Sequence, residues 1–96
     1  MDRGEILERA HEIVTKDRNK QYGEPEDVFE IIADFWNVYI NYRIGEMPTL
    51  ITKEDVGNMM ALFKMARITN GGNEDSYIDA AGYIACAAEC RPKYEE

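Results

Sequence analysis

Arg18-Asn19-Lys20-Gln21-Tyr22-Gly23-Glu24-Pro25-Glu26-Asp27 is the stretch on which the reading of the fold turns. It separates two strongly helical segments and places cations, an aromatic, a glycine, a proline and carboxylates side by side. Gly23 can adopt a left-handed conformation that other residues resist. Pro25 suits the first turn of a helix, where its missing N–H costs nothing. Glu24, Glu26 and Asp27 then gather at the positive N-terminal end of that helix. These carboxylates have a structural reading, as caps and dipole partners, and a functional one, as part of a polar site.

Upstream, residues 2–18 read as a helix capped by Asp2, with Ile6, Ala10, Ile13 and Val14 on one apolar stripe. Glu5, Glu8, Arg9 and Glu12 lie largely off it, and His11 reads as a surface residue with no orienting partner nearby. Downstream, residues 25–43 form a second helix. Val28, Ile32, Phe35 and Tyr39 make one stripe, and Phe29, Trp36 and Ile40 make another beside it. So wide an apolar arc predicts a helix that is central or buried at a subunit interface. Gly45-Glu46-Met47-Pro48 breaks it.

A third helix is expected over 53–68, opened by Thr52 and Asp55 as a capping box. Val56, Met59, Met60, Phe63 and Ala66 are its expected core face. Lys64 and Arg67 share one side, either as solvated stems or as a phosphate clamp. The glycine-rich loop Thr69-Asn70-Gly71-Gly72-Asn73 ends it. The fourth helix, 75–90, places Ile78, Ala81, Ala85 and Ala88 on one face, with Gly82 marking close packing or ligand access. Cys86 and Cys90 read as two small, partly buried thiols. Four helices with short loops describe an all-α antiparallel bundle, with 1–96 as one domain.

Ninety-six residues bury only a thin core, which favours an oligomer. A net charge of −8 argues against a non-specific grip on nucleic acid, which needs clustered cations facing phosphates. No apolar run approaches the roughly 20 residues of a transmembrane helix. The start, Met1-Asp2-Arg3-Gly4-Glu5, lacks the pattern of a signal peptide, so a cytoplasmic protein is expected. No Walker loop, dinucleotide glycine fingerprint or nucleophile elbow is present.

In a bundle, chemistry comes from side chains on facing helices. Asp27 and Glu30 lie one turn apart on the second helix, Asp75 and Asp79 one turn apart on the fourth. If those helices face, the four acids could hold one or two Mg²⁺ ions that bridge phosphate oxygens and activate a water. Lys64 and Arg67 could neutralise phosphate charge. Tyr22 or Trp36 could stack on a base.

The pattern Arg18-Asn19-x-x-Tyr22-Gly23-x-Pro25-x-Asp27, Trp36, Asp55-Val56, Met59-Met60, Lys64-x-x-Arg67 and Asp75-Ser76-x-x-Asp79-x-x-Gly82-Tyr83 resembles a family of short phage and prophage domains of uncharacterised function. It is similar also to a phage domain associated with nucleotide modification. More distantly it resembles the MazG-like all-α nucleoside triphosphate pyrophosphohydrolases, which hold Mg²⁺ with a Glu-x-x-Glu helix and a later Glu-x-x-Asp helix. Asp27-x-x-Glu30 could stand for the first motif; in the second, Ser76 occupies the position three before Asp79, with Asp75 one residue earlier. The resemblance implies a MazG-like oligomer that recognises a small-molecule nucleotide, in the host cytoplasm if phage-encoded. Its implied ligand-binding residues are Arg18, Tyr22, Gly23, Trp36, Lys64, Arg67 and Tyr83, with Asp27, Glu30, Asp75 and Asp79 as catalytic and metal residues. The leading reading is Mg²⁺-dependent hydrolysis of a nucleoside polyphosphate; the alternatives are sequestration of a nucleotide such as a host defence signal, and a protein-interaction module using the aromatic second helix.

Overall fold

The computed structural model describes residues 1–17, 23–45, 50–71 and 73–92. Among them lie four α-helices and no strand: α1 (Arg3–Glu12), α2 (Pro25–Ile44), α3 (Lys53–Thr69) and α4 (Glu74–Cys90). A π-helical turn, Ile13–Asp17, continues α1 directly.

Two helices begin with reciprocal caps. The Asp2 carboxylate accepts the Glu5 N–H at 2.9 Å, and Glu5 reaches back to the Asp2 N–H. Thr52 Oγ1 accepts the Asp55 N–H at 3.2 Å, while Asp55 accepts the Thr52 N–H at 2.9 Å. Each box satisfies two donors that the helix itself leaves unpaired. Pro25 opens α2 as expected, and the N–H of Gly45 closes it on the Asn41 carbonyl at 2.7 Å.

The first helix departs from one continuous α-helix over 2–18: α geometry stops at Glu12. Three β-branched residues follow in succession, Ile13, Val14 and Thr15, and Thr15 Oγ1 donates to the His11 carbonyl at 2.6 Å. A hydroxyl bonding back one turn competes with the backbone ladder and bends helices. The wider turn follows.

The centre of the fold is α4. It packs most extensively on α3 and also on α1, whereas α2 packs chiefly on α3 and touches α4 only narrowly. Small residues explain the choice. A Cβ on Gly57 would lie 2.7 Å from the Ala87 Cβ and 3.0 Å from its Cα, so the two backbones approach as only glycine allows. At Gly82 a Cβ would meet Val14 Cγ1 at 3.1 Å, which lets the end of the first helical segment close on α4. The aromatic α2 is therefore displaced to one side rather than placed in the middle.

The core comprises Phe29, Ala33, Val56, Ala61, Tyr83, Cys86 and Cys90, with Val14, Ile32, Trp36, Ile51 and Met60 packed against it. It corrects three expected faces. On α2 the stripe through Phe29 and Trp36 turns inward, and Phe35 and Tyr39 turn outward. On α3, Met59, Phe63 and Ala66 are exposed, because contact with α4 runs through Gly57 and Ala61. On α4, Ala85 and Ala88 are exposed while Ile78, Gly82, Cys86 and Cys90 are buried. Both cysteines are buried, and burial pushes the Cys90 thiol pKa up, with Glu26 nearby adding to the shift.

One side chain fastens α2 to the approach to α3. Asn37 donates to the Ile51 carbonyl at 3.0 Å and accepts its N–H at 2.9 Å. Among the described residues, no helix is long and apolar enough to cross a membrane.

Candidate anion-binding site

The residues singled out in the sequence are distributed rather than gathered. Arg18 and Tyr22 lie outside the described residues. Gly23 has φ +85 immediately before α2, as its role in the turn requires. Asp27 and Glu30 project from α2, exposed and without an ion pair among the described residues. Asp75 is exposed in the first turn of α4. Asp79 is half-buried and pairs with Lys64 Nζ at 3.0 Å, joining α4 to α3.

Among the described residues, no three His, Cys, Asp or Glu side chains form a group that could hold a metal ion. A four-acid Mg²⁺ centre needs the acids of α2 and α4 to face; α2 packs chiefly on α3 and touches α4 only narrowly. Trp36 and Tyr83 also have structural positions. Trp36 packs against the core, and Tyr83 sits within it, its ring 6.3 Å from that of Phe29.

The pair Lys64 and Arg67 is split. Both approach the Phe63 ring, at 5.9 and 5.7 Å from its centroid, but Lys64 also pairs with Asp79, while Arg67 lines a cavity of about 370 Å³ with Asn70, Gly71, Asn73 and Ser76. Arg67 belongs to the last turn of α3, and Asn73 and Ser76 to the start of α4. The cavity thus lies where one helix presents a guanidinium and the next presents its N-terminal N–H groups. Gly71, with φ +81, forms the bend between them. Arg67 makes no ion pair among the described residues, and its guanidinium lies 5.7 Å from the centroid of the exposed Phe63 ring.

Two features leave polar capacity facing this cavity. Asn73 is the N-cap of α4, yet its side chain makes no capping hydrogen bond. Ser76 is 8% exposed, and its hydroxyl has no hydrogen-bond partner among the described residues. At the wall of a polar cavity such a hydroxyl can bond water or a ligand. A helix N-terminus with an adjacent arginine favours an anion. Glu74 and Asp75, in the same turn, oppose one. Glu74 is directed elsewhere, accepting from the Met1 ammonium at 2.8 Å and raising the pKa of that amine.

Other hollows suit an anion less. One of about 310 Å³ between Val14, Pro25 and Ala85 carries the carboxylates Glu24 and Glu89 and no cation in its lining. Another of the same volume sets Glu30, Asp34 and Glu54 around Lys53. Sequence reasoning therefore found Arg67 but missed Asn70, Asn73, Ser76 and Phe63. Thr69–Asn73 reads as a helix stop, and Ser76 reads as a gap in an acidic motif. Their common signal is an arginine three residues before an Asn-Gly-Gly-Asn loop that opens a helix.

The fold and this corner define a small all-α domain with a cation-lined polar cavity at a helix N-terminus. The chain belongs to a family described as a domain of unknown function, DUF6378, whose model matches residues 5–91. It is 37% identical over 92 residues to the Gene 55 protein of Mycobacterium phage D29, covering 95% of this chain and 54% of the relative. To the Gene 55 protein of Mycobacterium phage L5 it is 38% identical over 79 residues, covering 81% of this chain and 47% of the relative. The chain thus spans about half the length of these phage relatives. No solved structure matches.

Proposed function

We propose that this phage-family protein binds a nucleotide without transforming it, holding a phosphate group between Arg67 and the N-terminus of α4. The observation that carries the reading is the buried Ser76 hydroxyl, which lines the cavity beside Arg67 and has no partner among the described residues. A phosphate oxygen would accept from that hydroxyl, from the guanidinium and from the Asn73 and Asn70 amides. The exposed Phe63 ring, beside Arg67, offers a face on which a base can stack. Sequestration of a nucleotide, such as a host defence signal, needs only this grip.

Hydrolysis, which the MazG-like resemblance implies, asks for more. Asp79 is engaged by Lys64, and the described acids form no metal-binding group within the chain. The described residues therefore do not fit a closed Mg²⁺ centre within one chain.

The test incubates the protein with Mg²⁺ and a mixed panel of linear and cyclic nucleotides, then chromatographs the filtrate and the ligand released on denaturation. One nucleotide depleted from the filtrate and recovered intact from the protein is the expected result. Arg67→Ala should weaken its binding about 10- to 100-fold, the worth of a hydrogen bond to a charged group. New monophosphate and pyrophosphate in the filtrate would establish hydrolysis instead. An unchanged panel in both fractions would refute nucleotide recognition.

A further inference from the structure

α2 carries apolar side chains on two opposite faces. Phe29, Ala33 and Trp36 face the core. Ile31, Phe35, Val38 and Tyr42 face away from it, with exposures of 55%, 70%, 70% and 85%. Their spacing of four, three and four residues is that of a coiled-coil seam, and Tyr39 (65% exposed) widens the stripe. Packing of α2 against α3 leaves this second face uncovered.

Charge selects both the occupant and its direction. The N-terminal half of α2 carries Glu26, Asp27, Glu30 and Asp34, and the only charged residue of its C-terminal half is Arg43. Two α2 helices side by side in parallel would set the acids against each other. Turned antiparallel, each acidic half lies beside the acid-free half of the other, and the helix dipoles oppose favourably. A two-fold axis provides that arrangement with a single self-complementary patch. We propose that the protein is a homodimer in which α2 packs antiparallel on α2 of a second copy, through Ile31, Phe35, Val38 and Tyr42.

Sedimentation equilibrium across the micromolar range tests this, independently of any ligand. The expected mass is about 22 kDa, twice the 11.1 kDa chain. Phe35→Glu with Val38→Glu should give a monomer with unchanged helical circular dichroism, since both side chains are exposed within one chain. Asn41→Glu, which sets a carboxylate beside the acidic half of the second copy, should weaken association about fivefold. A wild-type mass of about 11 kDa throughout, or a double variant that stays dimeric, would overturn the proposal. Association indifferent to Asn41→Glu would overturn the antiparallel order.

Discussion

Replacing Gly57 with alanine adds one methyl group where α3 meets α4, and two opposing terms decide the outcome. Alanine is favoured over glycine inside a helix by about 1 kcal/mol. Against this, the new Cβ would stand 2.7 Å from the Ala87 Cβ, 3.0 Å from its Cα and 3.1 Å from its N. Two of those three atoms belong to the backbone and cannot rotate away. Restoring an ordinary contact means separating the helices locally by roughly 0.7–1 Å, a gap that forfeits a quarter to a half of each affected dispersion contact. Overpacking of this kind costs about 1–3 kcal/mol, and the rigid neighbour places this site at the upper end. The net expectation is a loss of about 2 kcal/mol, equivalent to a fall in Tm of roughly 8–16 °C for a domain of this size. Gly82→Ala is the control, because its Cβ would meet only Val14 Cγ1, a side-chain methyl, at 3.1 Å. There the helix-propensity gain and a small displacement of Val14 should leave stability within about 1 kcal/mol of the parent. Thermal melts followed by circular dichroism measure both. A Gly57→Ala variant that melts at or above the wild-type temperature, or below which Gly82→Ala falls, would refute the account of why α4 is central.

Asn37→Ala should cost about 1–3 kcal/mol in urea titrations, since it leaves the half-buried Ile51 N–H and C=O without the partner that now bonds both. Asp79→Asn should lower stability by about 1 kcal/mol or less, an effect that shrinks if Lys64 is already alanine, because the two share one half-buried ion pair. Burial raises the Cys90 thiol pKa in the folded state, so its stabilising contribution is complete below the unfolded value near 8.5 and declines as pH rises past it. Titration with a thiol reagent should accordingly find Cys86 and Cys90 unreactive in native protein at pH 8 and two equivalents after unfolding; rapid native labelling would contradict their burial.

Local chemistry was legible in the sequence and pairwise geometry was not. Asp2, Thr52 with Asp55, and Pro25 mark helix starts through bonds within a few residues, and each does so in the structure. Cys86 and Cys90 were readable as partly buried because a thiol behaves as a small hydrophobe, and the fold buries both. The order of helices around the core depended on Gly57 meeting Ala87, thirty residues away, and no periodicity reports such a meeting. On α2, two apolar stripes offered themselves equally, so only packing could select Phe29 and Trp36 over Phe35 and Tyr39. The phage-family resemblance was readable from ordered short motifs and agrees with the family match over residues 5–91. The site was half legible: Arg67 announced itself by charge, whereas Ser76 mattered through burial, which a serine in a first helical turn does not advertise.

The one-sided attachment of α2 has a kinetic consequence. α3 and α4 are consecutive in the chain, and together they form its most extensively packed unit. α2 adds a narrow stripe and the Asn37 clasp, so its opening need not disturb that unit. Such a segment behaves as a separate foldon. Its amides should exchange with deuterium well before those of α3 and α4 at nanomolar protein, and slow as the concentration rises and a second copy covers Phe35 and Tyr42.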